Sequence, residues 1–454
     1  MSSAQSSTQP PDQPADQPPE QSVENPTDQP PGQARRRIAP MLIVLLGGLT
    51  ALGPMTIDLY LPALPHMTRE LHSSQTLLQL TLTAALVGLA SGQAVVGPLS
   101  DAVGRRRPLL VGLGTYAVAS VVCAVAPTVE VLVAGRVVQA LGGAAGIVIA
   151  RAIVRDLVSG REIARLFSLL LLVTGLAPIL APVVGGQLLR LGSWRMLFGV
   201  LTAFGVVLFV GVLFGLRETL PVERRRHGGA RDAAHSYLRL VRDRSFLGYA
   251  LAGGFGFAGM FAYISGSPFV YQEVFGISPQ FYGVLFGLNG LGLMAFSQTN
   301  GRLVRRVDPR RLLAIGQFTS LAGAILLVLA AATSVGGVVG VLLPLFVAVA
   351  SLGMVGPNAM ALGLAQHPEM AGTASALIGT LQFVVGALAG PLVTAVQVRS
   401  ALPMATVVAG CVVLGILARV VLTRDRSEEA SEPESPEELS GRRARPATAS
   451  AEEG

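Results

Sequence analysis

The chain has 454 residues, of which 51% are hydrophobic and 13% charged, and it carries a net charge of +7. So much apolar surface with so few charges excludes a water-soluble fold and points to a polytopic membrane protein. Every basic residue is arginine, and because the arginines gather beside apolar segments, the positive charge calls for no nucleic-acid partner.

Residues 1–34 are dominated by Pro, Gln, Ser and Asp and bury too little to order themselves, so a disordered N-terminal tail is expected. The first basic residues, Arg35 to Arg37, follow that tail, so the first apolar segment serves as its own targeting signal. Windows of about 20 apolar residues then place membrane helices near 38–64, 76–99, 107–126, 128–150, 163–190, 195–216, 245–272, 279–301, 310–331, 335–364, 371–396 and 401–422. The runs are continuous rather than alternating, which predicts an all-α fold of twelve transmembrane helices in two six-helix bundles. The bundles are expected at 35–216 and 245–422, with an Arg-rich linker at 217–244 and a charged, disordered tail at 423–454.

With the N-terminus cytoplasmic, the inner loops hold Arg35–37, Arg105–107, Arg151, Arg155, Arg161, Arg165, the cluster from Arg217 to Arg244, and Arg302 to Arg311. The outer loops hold only Arg69, Arg190, Arg195 and Arg399, so both termini are expected inside. Cys123 and Cys411 lie within apolar runs and act as small hydrophobes. The five histidines fall in or beside loops, so no metal site, cofactor or enzyme is expected.

Chemistry concentrates in the first and fourth runs. Asp58 is a carboxylate at membrane depth, where an ionisable group signals function. Arg136 enters from the opposite direction, and at 1.5 Å per residue the two sit about 11 Å and about 13 Å below the outer surface. A guanidinium near a carboxylate would keep it ionised until a proton or cationic ligand competes, through direct contact or an intermediary. Tyr60, Gln139, Asn289, Asn358 and Gln382 join Asp58 and Arg136 as expected substrate contacts, with Gln79, Gln93 and Gln298 as further polar candidates. Tyr263 and Tyr271 are assigned to an interfacial aromatic belt.

Three motifs carry a resemblance. Gly97, Leu99, Asp101, Gly104, Arg105 and Arg106 are similar to the loop 2–3 signature of the major facilitator superfamily. Arg136, Gln139 and the surrounding small residues resemble its fourth-helix motif, and Gly175, Pro178, Pro182, Gly185 and Gly186 resemble its antiporter motif in helix 5. The text from Pro54 to Pro65 resembles the bicyclomycin/chloramphenicol resistance branch of twelve-helix drug:proton antiporters.

The resemblance implies a monomeric exporter of small amphipathic drugs in exchange for protons across the bacterial cytoplasmic membrane, with Asp58 and Arg136 coupling the proton. Export or import of a single endogenous metabolite is the alternative. It also implies a latch in which Gly97 permits close helix approach, Asp101 meets a helix N-terminus of the other bundle, and Arg105 pairs with Asp156. The paired prolines should kink helix 5 and its glycines should seal it against a neighbour. Thr50 and Leu52 stand where other multidrug relatives place a second acid, which favours neutral substrates.

Overall fold

The computed structural model describes residues 40–158, 161–225, 237–367, 370–394 and 400–423, with side chains left undescribed at a few further positions within these ranges. The expected N-terminal tail, the C-terminal tail beyond Thr423, the middle of the linker and Arg399 lie outside the described residues. The described chain is helical: α1 (Pro40–Asp58), α2 (Leu64–Glu70), α3 (Gln75–Val103), α4 (Arg106–Ala124), α5 (Val129–Leu157), α6 (Arg161–Leu188) and α7 (Arg195–Gly215) come first. They are followed by α8 (Arg244–Phe269), α9 (Pro279–Leu303), α10 (Pro309–Thr333), α11 (Gly337–Ala350), α12 (Leu352–Ala365), α13 (Ala371–Thr394) and α14 (Leu402–Leu422).

Local chemistry sets the helix ends. Ser74, Asp243, Ser278 and Asp308 cap α3, α8, α9 and α10 by accepting from first-turn amides. Two of the twelve expected runs break in the middle. The first breaks after Asp58, where a 3₁₀ turn at Leu61–Ala63 carries Pro62 and leads into α2. The tenth breaks at Ser351, whose hydroxyl donates back to the Ala348 carbonyl (2.9 Å), a bond of the kind that bends helices.

Eleven spans among the described residues are long and apolar enough to cross a membrane. The twelfth position belongs to α9, whose 25 residues include Asn289, Gln298 and Asn300 and which packs closely on α6. The described residues thus form an all-α, twelve-span architecture in two six-helix bundles.

Within the first bundle α5 is the central post, packed on α3 and α4. A methyl group added at Gly142 would sit 2.6 Å from the Gly112 carbonyl oxygen, so α4 and α5 touch backbone to backbone. Among the described residues, the side-chain hydrogen bonds joining the two bundles are Gln75 to Glu273, Gln79 to the Ser265 carbonyl, Thr83 to the Ala387 carbonyl, Gln272 to the Pro62 carbonyl and Gln280 to the Gly186 carbonyl. All five lie toward the arginine-poor end, where the bundles are held together.

Candidate functional site

Asp58 is the last residue of α1, and the turn that follows places it at the helix break. The side chain is buried at 4% exposure, and its Oδ1 has no hydrogen-bond partner. No ion pair joins it to Arg136 among the described residues, so of the two couplings left open, direct contact or an intermediary, the direct one is not made in this conformation. Arg136 is fully buried and donates instead to the Thr56 carbonyl (2.7 Å) and to Gln139 Oε1 (2.6 Å). Its guanidinium also lies 4.5 Å from the ring centre of Tyr60 and 5.7 Å from that of Phe198.

The buried cation therefore rests on the carbonyl end of α1 and on aromatic faces, where the helix dipole and the ring quadrupoles are negative. Gln139 passes the connection to Ser120 (2.7 Å), Ser120 bonds back to the Tyr116 carbonyl, and the Tyr116 hydroxyl meets Thr56 Oγ1 (3.0 Å). This closed ring of Thr56, Arg136, Gln139, Ser120 and Tyr116 fixes the end of α1 two residues before Asp58. Tyr60 Oη pairs with Thr81 (2.8 Å) on the other side of the break.

The second bundle presents an aromatic ladder to the same region. Tyr271, Tyr282, Phe286 and Tyr263 follow one another at ring separations of 6.2, 6.0 and 5.2 Å. Tyr263 and Tyr282 lie within electrostatic range of Asp58. The hydroxyls of Tyr263 and Tyr271 and Asn289 Oδ1 are buried without partners, as is Asp58 Oδ1. Tyr263 and Tyr271 are thus interior residues, which overturns their assignment to an interfacial belt. Tyrosine is common in both settings, and only packing separates them.

The glycines of α6 adjoin the α1 break. A methyl group at Gly185 would overlap the Leu59 carbonyl oxygen, and one at Gly186 would fall 2.7 Å from that of Pro279. From the other side, Gly283 of α9 meets the Pro182 carbonyl oxygen at 2.5 Å on the same measure. Pro178 and Pro182 lie inside α6. The motif is therefore wedged without side-chain padding between the residue after Asp58 and the second bundle.

A cavity of about 990 Å³ lies between α6 and the second bundle, toward the arginine-rich half. Gly175, Phe257, Met260, Met294, Gln298 and Gln382 are among its walls, and no charged side chain occurs among the described lining residues. Of the expected substrate contacts it includes Gln382 alone. Asp58, Tyr60, Arg136, Gln139 and Asn289 do not line it, and Asn358 is bound to Asn300 (2.6 Å) and to the Met354 carbonyl.

The loop motif at the arginine-rich end is partly as expected. Arg105 Nε donates to Asp156 (2.9 Å), and its Nη1 reaches Asp101 (2.5 Å) and Ser100 (2.8 Å). Asp101 stays half-exposed and bonds within its own bundle, not to a helix start of the other. Gly97 has nothing closer than Val148 at 4.0 Å from an added methyl, so it makes no close helix approach in this conformation.

Sequence reading passed over Glu218, just after α7. Its carboxylate accepts from the backbone amides of Arg105, Arg106, Thr219 and Leu220, thereby capping the start of α4. Burial works against its charge, but those amides hold the carboxyl below the usual carboxylate range. Gly104 is required there twice over: its φ is +101°, and a methyl group would sit 2.7 Å from Glu218 Oε2. The one available signal was an acid directly after an apolar run, facing an Arg-rich turn.

Residues 46–391 match the model of the Major Facilitator Superfamily. The chain is 41% identical over 389 residues to the uncharacterized MFS-type transporter YdgK of Bacillus subtilis, covering 85% of this chain and 96% of that one. It is 33% identical to the bicyclomycin resistance protein homolog of Haemophilus influenzae, over 84% of this chain and 96% of the relative. It is 29% identical to the multidrug resistance protein MdtL of Klebsiella pneumoniae, with 85% and 96% covered. In fold it resembles the nucleoside transporter NupG (TM-score 0.69, 14% identity, 84% of this chain and 99% of that one). It also resembles a D-xylose-proton symporter (TM-score 0.65, 18% identity, 84% and 95%). This chain, a multi-pass membrane protein of transporter fold, belongs to the major facilitator superfamily.

Proposed function

We propose that the protein is a proton-coupled antiporter that exports small amphipathic antibiotics, phenicol-like or bicyclomycin-like, across the bacterial cytoplasmic membrane by alternating access. Both termini are cytoplasmic in this reading, the bundles are 35–216 and 245–422, and a monomer suffices. The observation that carries the proposal is Asp58, a buried carboxyl with an unpartnered oxygen, placed at a helix break between the bundles. The relatives named for bicyclomycin and multidrug resistance support the drug as cargo.

Two sites divide the work. Asp58 carries the proton, while the cavity, with no charge among its described lining residues, receives the drug; its one expected contact, Gln382, and Gln298 supply directing hydrogen bonds on a largely apolar surface. Arg136 positions Asp58 by clamping the end of α1 and serves the proton site indirectly. A cavity with no charged side chain among its described lining residues favours neutral cargo, and exchanging a neutral drug for a proton moves net charge across the membrane.

The test uses purified protein in weak buffer. Adding chloramphenicol should release protons from the wild type, and Asp58→Asn should abolish the release while leaving drug binding within about threefold. Release that persists in the variant would assign the proton elsewhere. Binding without any gradient-driven flux would remove the transport reading itself.

A further inference from the structure

A second cavity, of about 840 Å³, opens at the arginine-poor end and shares no lining residue with the first. Its walls come from both bundles, with Arg69, Ser73, Gln75 and Gln79 from the first and Gln272 and Glu273 from the second. Three of the bonds that hold the bundles together adjoin it: Gln75 Nε2 to Glu273 Oε2 (2.6 Å), Gln79 Nε2 to the Ser265 carbonyl (2.9 Å) and Gln272 Nε2 to the Pro62 carbonyl (3.1 Å).

Two buried polar atoms among its lining residues lack partners. Gln79 is 1% exposed and its Oε1 accepts nothing; Ser73 Oγ is likewise unbonded. A buried acceptor left open is a cost to the fold that a ligand donor offsets. Opposite charges stand on the two sides: Arg69 on α2 and Glu273 after α8, neither of them in an ion pair among the described residues. His66, the remaining ionisable lining residue, lies 3.6 Å from Glu70.

A cation alone would meet Arg69, and an anion alone would meet Glu273. We propose that this cavity binds a small zwitterion of short-peptide size, its ammonium at Glu273 and the Gln79 carboxamide oxygen and its carboxylate at Arg69. Because the walls belong to both bundles, the site is complete only while this end is closed. A ligand that binds one conformation alone shifts the population toward it, so occupancy holds the transporter facing the arginine-rich side and slows turnover without competing for the drug cavity. The site is independent of the identity of the cargo.

Titration calorimetry of the full-length purified protein with trialanine tests this, with putrescine and succinate as single-sign controls. Saturable trialanine binding is expected, weakened about tenfold or more by Arg69→Gln and by Glu273→Gln, with both controls at least about tenfold weaker in the wild type. Arg69→Gln should keep basal export. In proteoliposomes, trialanine on the arginine-poor side should lower the maximal export rate and leave the half-saturating chloramphenicol concentration unchanged. The proposal is overturned by any of three results: no saturation up to ~10 mM, binding equal in the wild type and both variants, or displacement of trialanine by chloramphenicol.

Discussion

At the scale of single residues, Asp58 and Arg136 have separate neighbours, and separate roles are proposed for them for that reason. That Arg136 stands level with the end of the first helix was legible, because charge in an apolar run stands out and helical rise converts position to relative height. Its partners were not, since Thr56 offers a backbone carbonyl and Tyr60 a ring face, groups that leave no polar mark in a sequence. Arg136→Lys tests the clamp. A lysine keeps the charge but cannot span the Thr56 carbonyl and Gln139 with a planar fork, so flux should fall about tenfold or more although the cation is retained; near-normal export would remove the clamp. Gly185→Ala tests the seal beside it. The added methyl would need the space of the Leu59 carbonyl oxygen, and such overpacking costs about 1–3 kcal/mol. The variant should express with lowered stability and leak protons in drug-free proteoliposomes, and a tight, fully coupled variant would contradict the seal.

At the scale of elements, the twelve runs were legible nearly to their ends, because hydropathy marks a span and Ser or Asp marks where many begin. The breaks in the first and tenth runs were not, since Ser351 acts through a local bond to a carbonyl and the bend after Asp58 follows from a turn. The loop between α3 and α4 shows the same division. Its Arg105–Asp156 pair was anticipated, whereas the Glu218 cap joins parts of the chain far apart in sequence. Glu218→Gln should destabilise the detergent-solubilised protein by about 1 kcal/mol near neutral pH, the low end for a charged hydrogen-bonded group because this one is partly exposed. The carboxyl is held below its usual range, so its contribution is fully present above the ordinary glutamate value near 4.3 and is lost as pH falls through the lower folded value. The wild type and variant should therefore converge in stability on acidification. A difference that widens toward low pH would assign the effect to something other than the charged cap.

At the scale of the whole molecule, the bonds between bundles gather toward one end and the drug-sized cavity lies toward the other, an arrangement expected of one state in an alternating cycle. No sequence pattern specifies which state a chain adopts, and for that reason the cross-bundle contact anticipated for Asp101 is not made here. That residue is half-exposed and bonded within its own bundle, so Asp101→Asn should leave drug binding within about twofold in this conformation and still lower turnover by weakening the opposite one. Locking the closed end examines the cycle more directly. Gln75 and Glu273 meet at 2.6 Å across the two bundles, and the native cysteines, Cys123 and Cys411, are both buried. Cysteines placed at Gln75 and Glu273 can therefore be joined by a short flexible bis-maleimide with little reaction elsewhere. Joined protein should retain chloramphenicol binding in the cavity near Gln382 while export falls below about a tenth, because a ligand cannot leave through an end that cannot open. Each single-cysteine protein, treated in the same way, should transport normally. Full export by the joined protein would mean that the two bundles do not separate at this end during turnover, and alternating access around Asp58 would have to be abandoned.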